Sequence, residues 1–370
     1  MRNHGPMMAI GAAILALSVT AVADAAVTTD SPIATLAGDG TRAFGGDGGP
    51  ASSALLNEPR DTAVGPDGSI FVADTFNHRI RKIGTDGIIT TVAGDGTTIY
   101  DGDNQLATEA SLYWPHDVAV DSNGVLYIAD SNHHRVRRVD LNGIITTVAG
   151  RGSASSTGDG GLAVQAKIKN PKSVVIHSGY LYLAGLDNKV RRVNLDTGII
   201  SAYAGTGIAG YSGDGGPATA ATLNAPQRLQ VDSLGNVYVA DTGNSAVRRI
   251  DAGTGLISTV AGTGARGFNG TTGPATSIQL NQPRGLALEG DEVLYVADSN
   301  NHRIRKVDLV AQMVSTVAGT NRGFAGDGGP ARLAKFYQPR GLTVTPEGDL
   351  LVADTFNSRL RRIEHVVVPQ

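Results

Sequence analysis

Phe71–Ile83 reads FVADTFNHRIRKI, and this stretch returns along the chain at an almost fixed interval. The further copies are Tyr127–Val139, Tyr182–Val193, Tyr238–Ile250, Tyr295–Val307 and Leu351–Ile363. The aspartate of the motif, replaced by Gly185 in the third copy, recurs after 56, 55, 56, 57 and 56 residues. A period this regular, held six times, indicates a repeat architecture.

Each copy predicts a β-hairpin. The run of Val, Ala, Ile and Tyr or Phe is typical of a short strand, and Asp-Thr/Ser-x-Asn is turn chemistry. The Arg-Ile-Arg-Lys-Ile that follows alternates charged and apolar residues, which predicts a second strand with one solvated face. We expect the aspartate, Asp74 in the first copy, to accept turn N–H groups and to meet Arg79 across the hairpin. Because an exposed ion pair contributes only about 0–1 kcal/mol, the turn hydrogen bonds are expected to matter more.

One repeat contains four strand signals. In the first repeat they cover residues 61–65, 70–74, 79–83 and 88–93, with turn residues between them. A small four-stranded sheet cannot bury both its faces alone, whereas six such sheets in a ring can, so the sequence predicts an all-β, six-bladed β-propeller of four-stranded blades. A linear β-solenoid, the alternative, would need much shorter repeats.

The two ends of the repeat array complement each other. The last repeat stops after its third strand, 359–363, and an extra fourth-strand sequence, 33–37, precedes the first repeat. Pairing the two closes the ring, completes the last blade and removes exposed strand edges.

Residues 1–25 read as a secretory signal peptide. Arg2 precedes an apolar run at 7–22, and small residues at alternate positions offer cleavage sites at 21–25. A membrane anchor is the alternative, but the run is shorter than the ~20 residues of a spanning helix. We therefore expect residues 26–370 to form one exported domain, secreted or periplasmic, monomeric and without a membrane span after cleavage.

Composition restricts the possible functions. The 370 residues include no cysteine, which excludes disulfides and a thiol nucleophile, while 49 glycines and 5% aromatic residues fit many turns and a core of small side chains. The net charge of −3 argues against attraction of the whole molecule to nucleic acid or an anionic membrane.

A ring of candidate site residues follows from the repeat. A proline opens each predicted inner strand, and the residue after it is expected at the entrance to the central channel. These residues, called the upper ring below, are Arg60, His116, Lys172, Gln227, Arg284 and Arg340. Tyr113 and Trp114, the one tryptophan, stand beside His116. The residue types vary at these ring positions while the rest of the repeat is nearly uniform, and this pattern favours a binding site at the ring. The alternative is that Glu58, Asp61 and Asp117 neutralise the cations locally.

These residue types predict an anionic ligand. Arginine's planar fork suits two-point contact with carboxylate or phosphate, and the rings of Tyr113 and Trp114 offer a flat apolar surface. We expect an acidic saccharide or an acidic segment of a partner protein, bound at the loop face of the channel. RNA fits the charge but not an exported location, so no nucleic acid is expected.

The quoted motif resembles the NHL repeat. Asn-His-Arg-Ile at 77–80 and 301–304, behind Val-Ala-Asp, carries the resemblance. The Gly-Asp-Gly-Gly-Pro-Ala loops at 46–51, 213–218 and 326–331, with Ile-Thr-Thr-Val-Ala-Gly at 89–94, resemble the variant of teneurin-type NHL domains and bacterial exported proteins. The resemblance implies a six-bladed propeller but little about activity, because members include interaction, RNA-binding and sensor propellers and a zinc-dependent amidating lyase.

The lyase-type site would need several histidines converging on the axis. Of eight histidines only His116 occupies a ring position, and surrounding cations would repel a metal ion. The sequence therefore predicts no metal or cofactor and favours a non-catalytic binding or interaction module. The alternative is a lyase or hydrolase acting on a sugar acid, a lactone or a similar small molecule, with His116 and Tyr113 as acid and base.

Overall fold

Six antiparallel sheets form the structure, a computed structural model that describes Met1 and residues 27–365. The predicted leader therefore lies outside the described residues, apart from Met1. Strand β1 (Ile33–Ala37) comes first in the chain. The first blade consists of β2 (Pro59–Val64), β3 (Ile70–Asp74), β4 (Arg79–Ile83) and β5 (Ile89–Ala93). The second consists of β6 (Gln105–Leu106), β7 (Pro115–Val120), β8 (Leu126–Asp130), β9 (Arg135–Val139) and β10 (Ile144–Ala149). The third consists of β11 (Pro171–His177), β12 (Tyr180–Gly185), β13 (Val190–Asn194) and β14 (Ile200–Ala204).

The second half repeats this organisation. The fourth blade consists of β15 (Arg228–Val231), β16 (Val237–Asp241), β17 (Ala246–Ile250) and β18 (Ile257–Ala261). The fifth consists of β19 (Thr272–Pro274), β20 (Pro283–Glu289), β21 (Val293–Asp298), β22 (Arg303–Asp308) and β23 (Met313–Ala318). The sixth contains β24 (Leu342–Val344), β25 (Leu350–Asp354), β26 (Arg359–Ile363) and β1, so the predicted six-bladed propeller is confirmed.

Ring closure occurs as predicted. Strand β1 pairs antiparallel with β26, with Ile33 opposite Ile363 and Ala34 opposite Arg362. The expectation of four strands in every blade was wrong for the second and fifth blades, where β6 and β19 add a fifth, outer strand. Both come from the segment that connects successive blades, which elsewhere makes a single bridge to the outer strand, as Pro50 does with Ile88.

Short 3-10 helices occupy the turns. In five hairpins they cover Thr75–Asn77, Ser131–His133, Thr242–Asn244, Ser299–Asn301 and Thr355–Asn357. In five connecting segments they cover Ala51–Ser53, Ala163–Gln165, Ala218–Ala220, Ala275–Ser277 and Ala331–Leu333.

The core lies between blades rather than within one. One cluster joins Ala73 and Ile80 of the first blade to Ile128 and Ile145 of the second, and all four side chains are fully buried. Each sheet thus buries its faces against its two neighbours. Because the first and last strands share one blade, this packing runs around the whole ring.

The hairpin aspartate pairs with the second arginine of the motif, not with the first. Arg81 Nη1 lies 3.3 Å from Asp74 Oδ2, and Arg81 Nη2 lies 2.6 Å from Oδ1 of Asp47 in the connecting loop. The expected partner, Arg79, instead donates to the carbonyl oxygen of Asn77 and lies over the Phe44 ring. Both arginines point to one face of β4, but only Arg81 lies between the hairpin and the loop, so it reaches both carboxylates.

This contact recurs around the ring and explains two sequence features. The corresponding arginines, all essentially fully buried, are Arg81, Arg137, Arg191, Arg248, Arg305 and Arg361. In the third blade, where Gly185 replaces the aspartate, Asp187 Oδ2 takes its place 2.7 Å from Arg191 Nη1. The aspartates of the Gly-Asp-Gly-Gly loops bind these arginines as well, and Asp103 does so in the second blade, so they attach the connecting loop to its blade. In the fifth blade the carbonyl oxygen of Gly270 accepts from Arg305 instead.

Candidate functional site

All six residues of the upper ring line one cavity at the end of the channel where the inner strands begin, called the upper mouth. The residue before each inner-strand proline has left-handed backbone, with φ between 44° and 55°. These residues are Glu58, Trp114, Asn170, Ala225, Gln282 and Gln338. The same bend in every blade thus turns the following side chain toward the axis.

Histidines of the Asn-His-Arg motif support this bend in the neighbouring blade. The backbone N–H of Trp114 donates to His78 Nδ1 at 3.3 Å, and those of Asn170 and Gln338 donate to His134 and His302. Burial, and then the charge of Arg79, lowers the pKa of His78, which favours the neutral ring that accepts this bond. These histidines are therefore inter-blade contacts of the scaffold.

The upper ring is tightly closed. Lys172 and His116 are only 8% and 7% exposed, and the free volume among the ring side chains is about 10 Å³. That space corresponds to about one water molecule. A ligand can therefore place only a small group between the ring residues, and the rest of the ligand must lie outside.

The carboxylates expected to neutralise the ring mostly do something else. Asp61 and Asp117 both bind Nη1 of Arg228, with Asp117 Oδ1 at 2.5 Å. Glu58 is the exception, with its carboxylate 3.9 Å from Arg60 and 3.4 Å from Arg42. Among residues 27–365, Lys172, Arg284 and Arg340 have no carboxylate within ion-pair distance.

Sequence reasoning missed Arg228, although the repeat contains a signal for it. Arg228 follows the upper-ring residue Gln227, at a position where the other blades have Asp61, Asp117, Ser173, Gly285 and Gly341. The inner strands are so close here that a Cβ on Gly285 would lie 1.7 Å from the carbonyl oxygen of Arg340. The signal in the sequence is one long basic residue at a position where the other blades have small or acidic residues. In the structure, the Arg228 side chain crosses the channel from the fourth blade and contacts the first and second blades.

The electrostatics of the ring follow from burial and like charge. Burial lowers the pKa of Lys172 to about 7, and the charges of Arg60 and Arg340 act in the same direction. Burial likewise lowers the pKa of Arg60 to about 10. The pKa of His116 lies well below its usual value because of burial and then Lys172, so its imidazole is neutral. Burial and mutual repulsion therefore make the positive charges of the ring unfavourable in free energy, and a bound anion would reduce this cost.

Aromatic side chains adjoin the ring on the side of the first two blades. The Trp114 ring lies 5.0 Å from Phe76 and 5.5 Å from Tyr113, and we call these three residues the aromatic shelf. Arg60 joins the shelf to the ring because its guanidinium carbon lies 5.3 Å from the Phe76 ring centre. Phe76 was not predicted, although it occupies the variable position of Asp-Thr-x-Asn.

The proposed acid–base partner of His116 packs elsewhere. The Tyr113 ring lies edge-on against His78 at 5.7 Å and against His133 at 5.8 Å. Among the described residues, no three or more His, Asp or Glu side chains are grouped so that they could hold a metal ion. In the same part of the chain, no helix is long and apolar enough to cross a membrane.

Family comparisons agree with the repeat. The NHL repeat family model matches residues 112–139, 223–250, 280–307 and 336–363, and the Teneurin NHL domain model matches residues 36–101. NHL repeat-containing protein 2 of Gallus gallus is 29% identical over 329 residues, which are 80% of this chain and 44% of that protein. The chain spans less than half the length of the curated relatives it matches.

Solved structures share the fold at low identity. An auxiliary nutrient binding protein from Bacteroides ovatus has a TM-score of 0.65 and 14% identity, with 91% of this chain and 77% of that chain covered. Virginiamycin B lyase from Staphylococcus aureus has a TM-score of 0.51 and 14% identity, with 82% and 94% covered. The matched repeats and the closed ring of six blades together identify the chain as an NHL-repeat β-propeller protein.

Proposed function

We propose that this protein is an exported, secreted or periplasmic, non-catalytic binding module whose upper mouth holds an anionic ligand. The observation that carries the proposal is a group of cationic side chains at the upper mouth, the buried Lys172 and the half-buried Arg284 and Arg340, without carboxylate partners among the described residues. Two like charges about 4 Å apart cost about 4 kcal/mol in a partly shielded site. An anion between them would remove much of that cost.

Unused hydrogen-bonding groups point in the same direction. The Nε atoms of Arg60, Arg284 and Arg340 are buried without a hydrogen-bond partner, although the Nη atoms of Arg284 donate to Gln282 and Gln338. Buried donors of this kind are normally paired, and guanidinium groups bind carboxylate or phosphate oxygens particularly well. A carboxylate at the ring would supply such acceptors.

The shape of the mouth restricts how the ligand binds. Only about one oxygen atom of an anionic group fits among the ring side chains, whereas the aromatic shelf offers a surface for the ligand body. An acidic saccharide meets both conditions, with one carboxylate oxygen among the ring residues and a sugar face on Trp114. An acidic segment of a partner protein meets them through a Glu or Asp side chain. The name of the Bacteroides ovatus protein, an auxiliary nutrient binding protein, is compatible with the saccharide alternative.

Calorimetry with oligogalacturonate and with a Glu-rich peptide, at low and moderate salt, tests the proposal. We expect the Arg284→Ala/Arg340→Ala protein to bind at least one probe more than tenfold more weakly than the wild type. A matched control, Arg151→Ala/Arg266→Ala, removes the same charge from exposed loop positions and should bind like the wild type. Equal binding by ring variant and wild type, or equal losses in both variants, would refute a specific site. The probe that depends on the ring identifies the ligand class.

The enzymatic alternative has less support. His116 is buried among cations in a cavity with room for one water molecule, and Tyr113 packs against other histidines. Turnover of sugar-acid lactones or lyase substrates that is lost in His116→Ala would reverse our preference. N-terminal sequencing tests the export proposal, since the exported protein should begin near Asp24 or Ala26.

A further inference from the structure

An aromatic ring covers the basic side chains of the hairpin in five blades. It lies two residues before the glycine that opens the Gly-Asp-Gly-Gly loop or its counterpart, and the five residues are Phe44, Tyr100, Tyr211, Phe268 and Phe324. In the first blade the Arg79 guanidinium carbon lies 3.7 Å from the Phe44 ring centre, and Phe44 is 41% exposed. Arg135, Arg303 and Arg359 lie 3.6–4.2 Å from the corresponding rings. A cation and an aromatic face attract each other at these distances.

The fourth blade shows which other residues surround such a ring. Ala246 replaces the first arginine of the motif there, and the Tyr211 ring lies against Gly264, where an added Cβ would be 2.7 Å from a ring carbon. The guanidinium carbon of Arg248 lies 5.1 Å from the ring centre. The ring thus occupies the space between its own connecting segment, the hairpin and the next connecting segment.

The third blade has a cavity in this place. Ser156 stands at the aromatic position, and a space of about 440 Å³ lies beside it. Lys189, the counterpart of Arg79, and Gly207, the counterpart of Gly264, both border this space. The positions that surround a ring in other blades therefore surround a cavity here, which we call the third-blade notch.

The lining of the third-blade notch suits a ring that carries a negative charge. Ile208 and the methylene groups of Lys189 offer apolar surface. Lys169 also borders the notch, and no carboxylate in residues 27–365 lies within ion-pair distance of it. The carboxylate in the lining, Asp187, already binds Arg191 at 2.7 Å. An acidic substituent on the ring would therefore be attracted, whereas a basic one would be repelled.

The Ser155 hydroxyl supplies an independent indication. Its Oγ is buried without a hydrogen-bond partner and belongs to a residue that borders the notch, whereas the hydroxyl of Ser156 accepts from Arg191. Buried hydroxyl groups are normally paired, so a polar ligand atom would satisfy this one. Lys189 Nζ lies 3.4 Å from Asp159, and an ammonium group has three donors, so this ion pair leaves donors for a ligand.

We propose that the third-blade notch binds a planar aromatic group with an acidic substituent, in the place that an aromatic side chain occupies in other blades. The ring lies over Lys189 as Phe44 lies over Arg79, and the acidic group is held by Lys169. A small aryl carboxylic acid meets these conditions. A saturated ring of equal charge lacks the attraction between cation and ring, and an arylamine is repelled by the two lysines. This site does not depend on the anion site proposed at the upper ring.

Methyl NMR tests the proposal, because a bound aromatic ring shifts the Ile208 methyl signal by its ring current. The probes are hydrocinnamate, cyclohexanepropionate and phenylpropylamine, and Ile208→Val assigns the signal. We expect a saturable shift with hydrocinnamate and at least about threefold weaker binding of the other two probes. Lys169→Gln should weaken hydrocinnamate binding about two- to fivefold, since one exposed ion pair contributes a factor of a few.

Ser156→Phe places in the notch the ring that other blades already have. We therefore expect this variant to keep its Tm and to bind hydrocinnamate at least about tenfold more weakly, because two rings cannot occupy one close-packed space. The control Ser122→Phe adds the same ring to an exposed turn between β7 and β8 and should bind like the wild type. If Ser156→Phe does not fold, the comparison of probes and Lys169→Gln still decide.

The outcomes separate the two proposed sites. Arg284→Ala/Arg340→Ala should leave the Ile208 shift unchanged, whatever it does to anion binding at the upper ring. Equal binding of hydrocinnamate and cyclohexanepropionate would show an apolar surface without ring selection and would overturn the proposal. The absence of a saturable shift, or equal affinities of a folded Ser156→Phe and the wild type, would overturn it as well.

Discussion

Arg228→Met tests the most unusual contact of the molecule, the Asp61–Arg228–Asp117 group across the axis. The three residues lie on the first, second and fourth blades, and each is less than 10% exposed. Asp61 and Asp117 are 167 and 111 residues from Arg228 in sequence. Methionine keeps most of the arginine volume but leaves two buried carboxylates without their cation. Such a change typically costs about 3–5 kcal/mol.

The loss of folding stability in Arg228→Met should depend on pH, and the direction of this dependence follows from the pKa of Asp61. Burial raises the pKa of Asp61 well above its usual value, and Arg228 counteracts that rise. Without Arg228 the folded-state pKa of Asp61 rises further, so the folded variant retains a proton that the unfolded chain has lost. The stability of a protein with such a group falls as pH rises above the unfolded-state pKa, about 3.9. The wild type shares this fall until pH reaches its own folded-state pKa of Asp61, so the deficit of Arg228→Met opens above that pKa and should be larger at pH 8 than at pH 5.

Differential scanning calorimetry at the two pH values measures this effect. At roughly 2 °C per kcal/mol for a large domain, we expect Tm to fall by about 6–10 °C at pH 8. Arg249→Met is the control in the same blade, because Arg249 and Asp251 are about one-third exposed and lie 3.2 Å apart, so its loss should cost less than about 1 kcal/mol. Adding Asp61→Asn and Asp117→Asn to Arg228→Met should recover at least half of the lost stability. A variant as stable as the wild type at pH 8, or a deficit that does not change with pH, would refute the reasoning.

Three further predictions concern the ring, its closure and one hairpin. Because the pKa of Lys172 is about 7 in the free protein, anion binding should take up a proton near pH 7.5, seen as buffer-dependent heats that disappear in Lys172→Gln. A chain beginning at Asp39 lacks β1, so β26 loses its outer partner, keeps only β25, and Tm should fall; an unchanged Tm would contradict the ring closure. His133 holds Asp130 Oδ2 and the Thr98 carbonyl oxygen where other blades use asparagine, so His133→Asn should cost less than about 1 kcal/mol and His133→Leu about 1–3 kcal/mol. Equal stability of the last two variants would exclude a hydrogen-bonding role.

The fold was predictable because its determinants recur in the sequence. Six copies of one hairpin motif and an unmatched strand at each end define the number of blades and the closure, and the structure confirms both. The fifth strands β6 and β19 were not predictable, since they differ from the single bridges of other blades by only one or two backbone pairs. Such differences depend on the path of a long loop, which has no periodic pattern.

The convergence of the upper ring followed from the repeat, whereas the distribution of charge in it did not. Equivalent positions in a closed ring must face one axis, so the sequence placed Arg60 and Arg340 together. The partner of each carboxylate depends on distances across the channel, and Asp61 is adjacent to Arg60 in sequence yet binds Arg228. The hairpin aspartate is a second example. Arg79 lies directly opposite Asp74 in the hairpin, yet the ion-pair partner of Asp74 is Arg81. Proximity in sequence therefore did not predict the ion-pair partner where a long side chain could reach more than one carboxylate.

Arg228 also determines how experiments on the upper ring should be interpreted. Its side chain borders both the upper cavity and the passage among the inner strands beneath it, so replacing it changes the charge of both and removes the barrier between them. A loss of anion binding in Arg228→Met would therefore not show that the ring residues bind the anion. Arg284, in contrast, borders only the upper of these two cavities, so a variant at this position changes the ring and leaves the Asp61–Arg228–Asp117 group in place. Anion binding that is lost in Arg284→Ala while that group remains intact would therefore assign the binding to the ring itself.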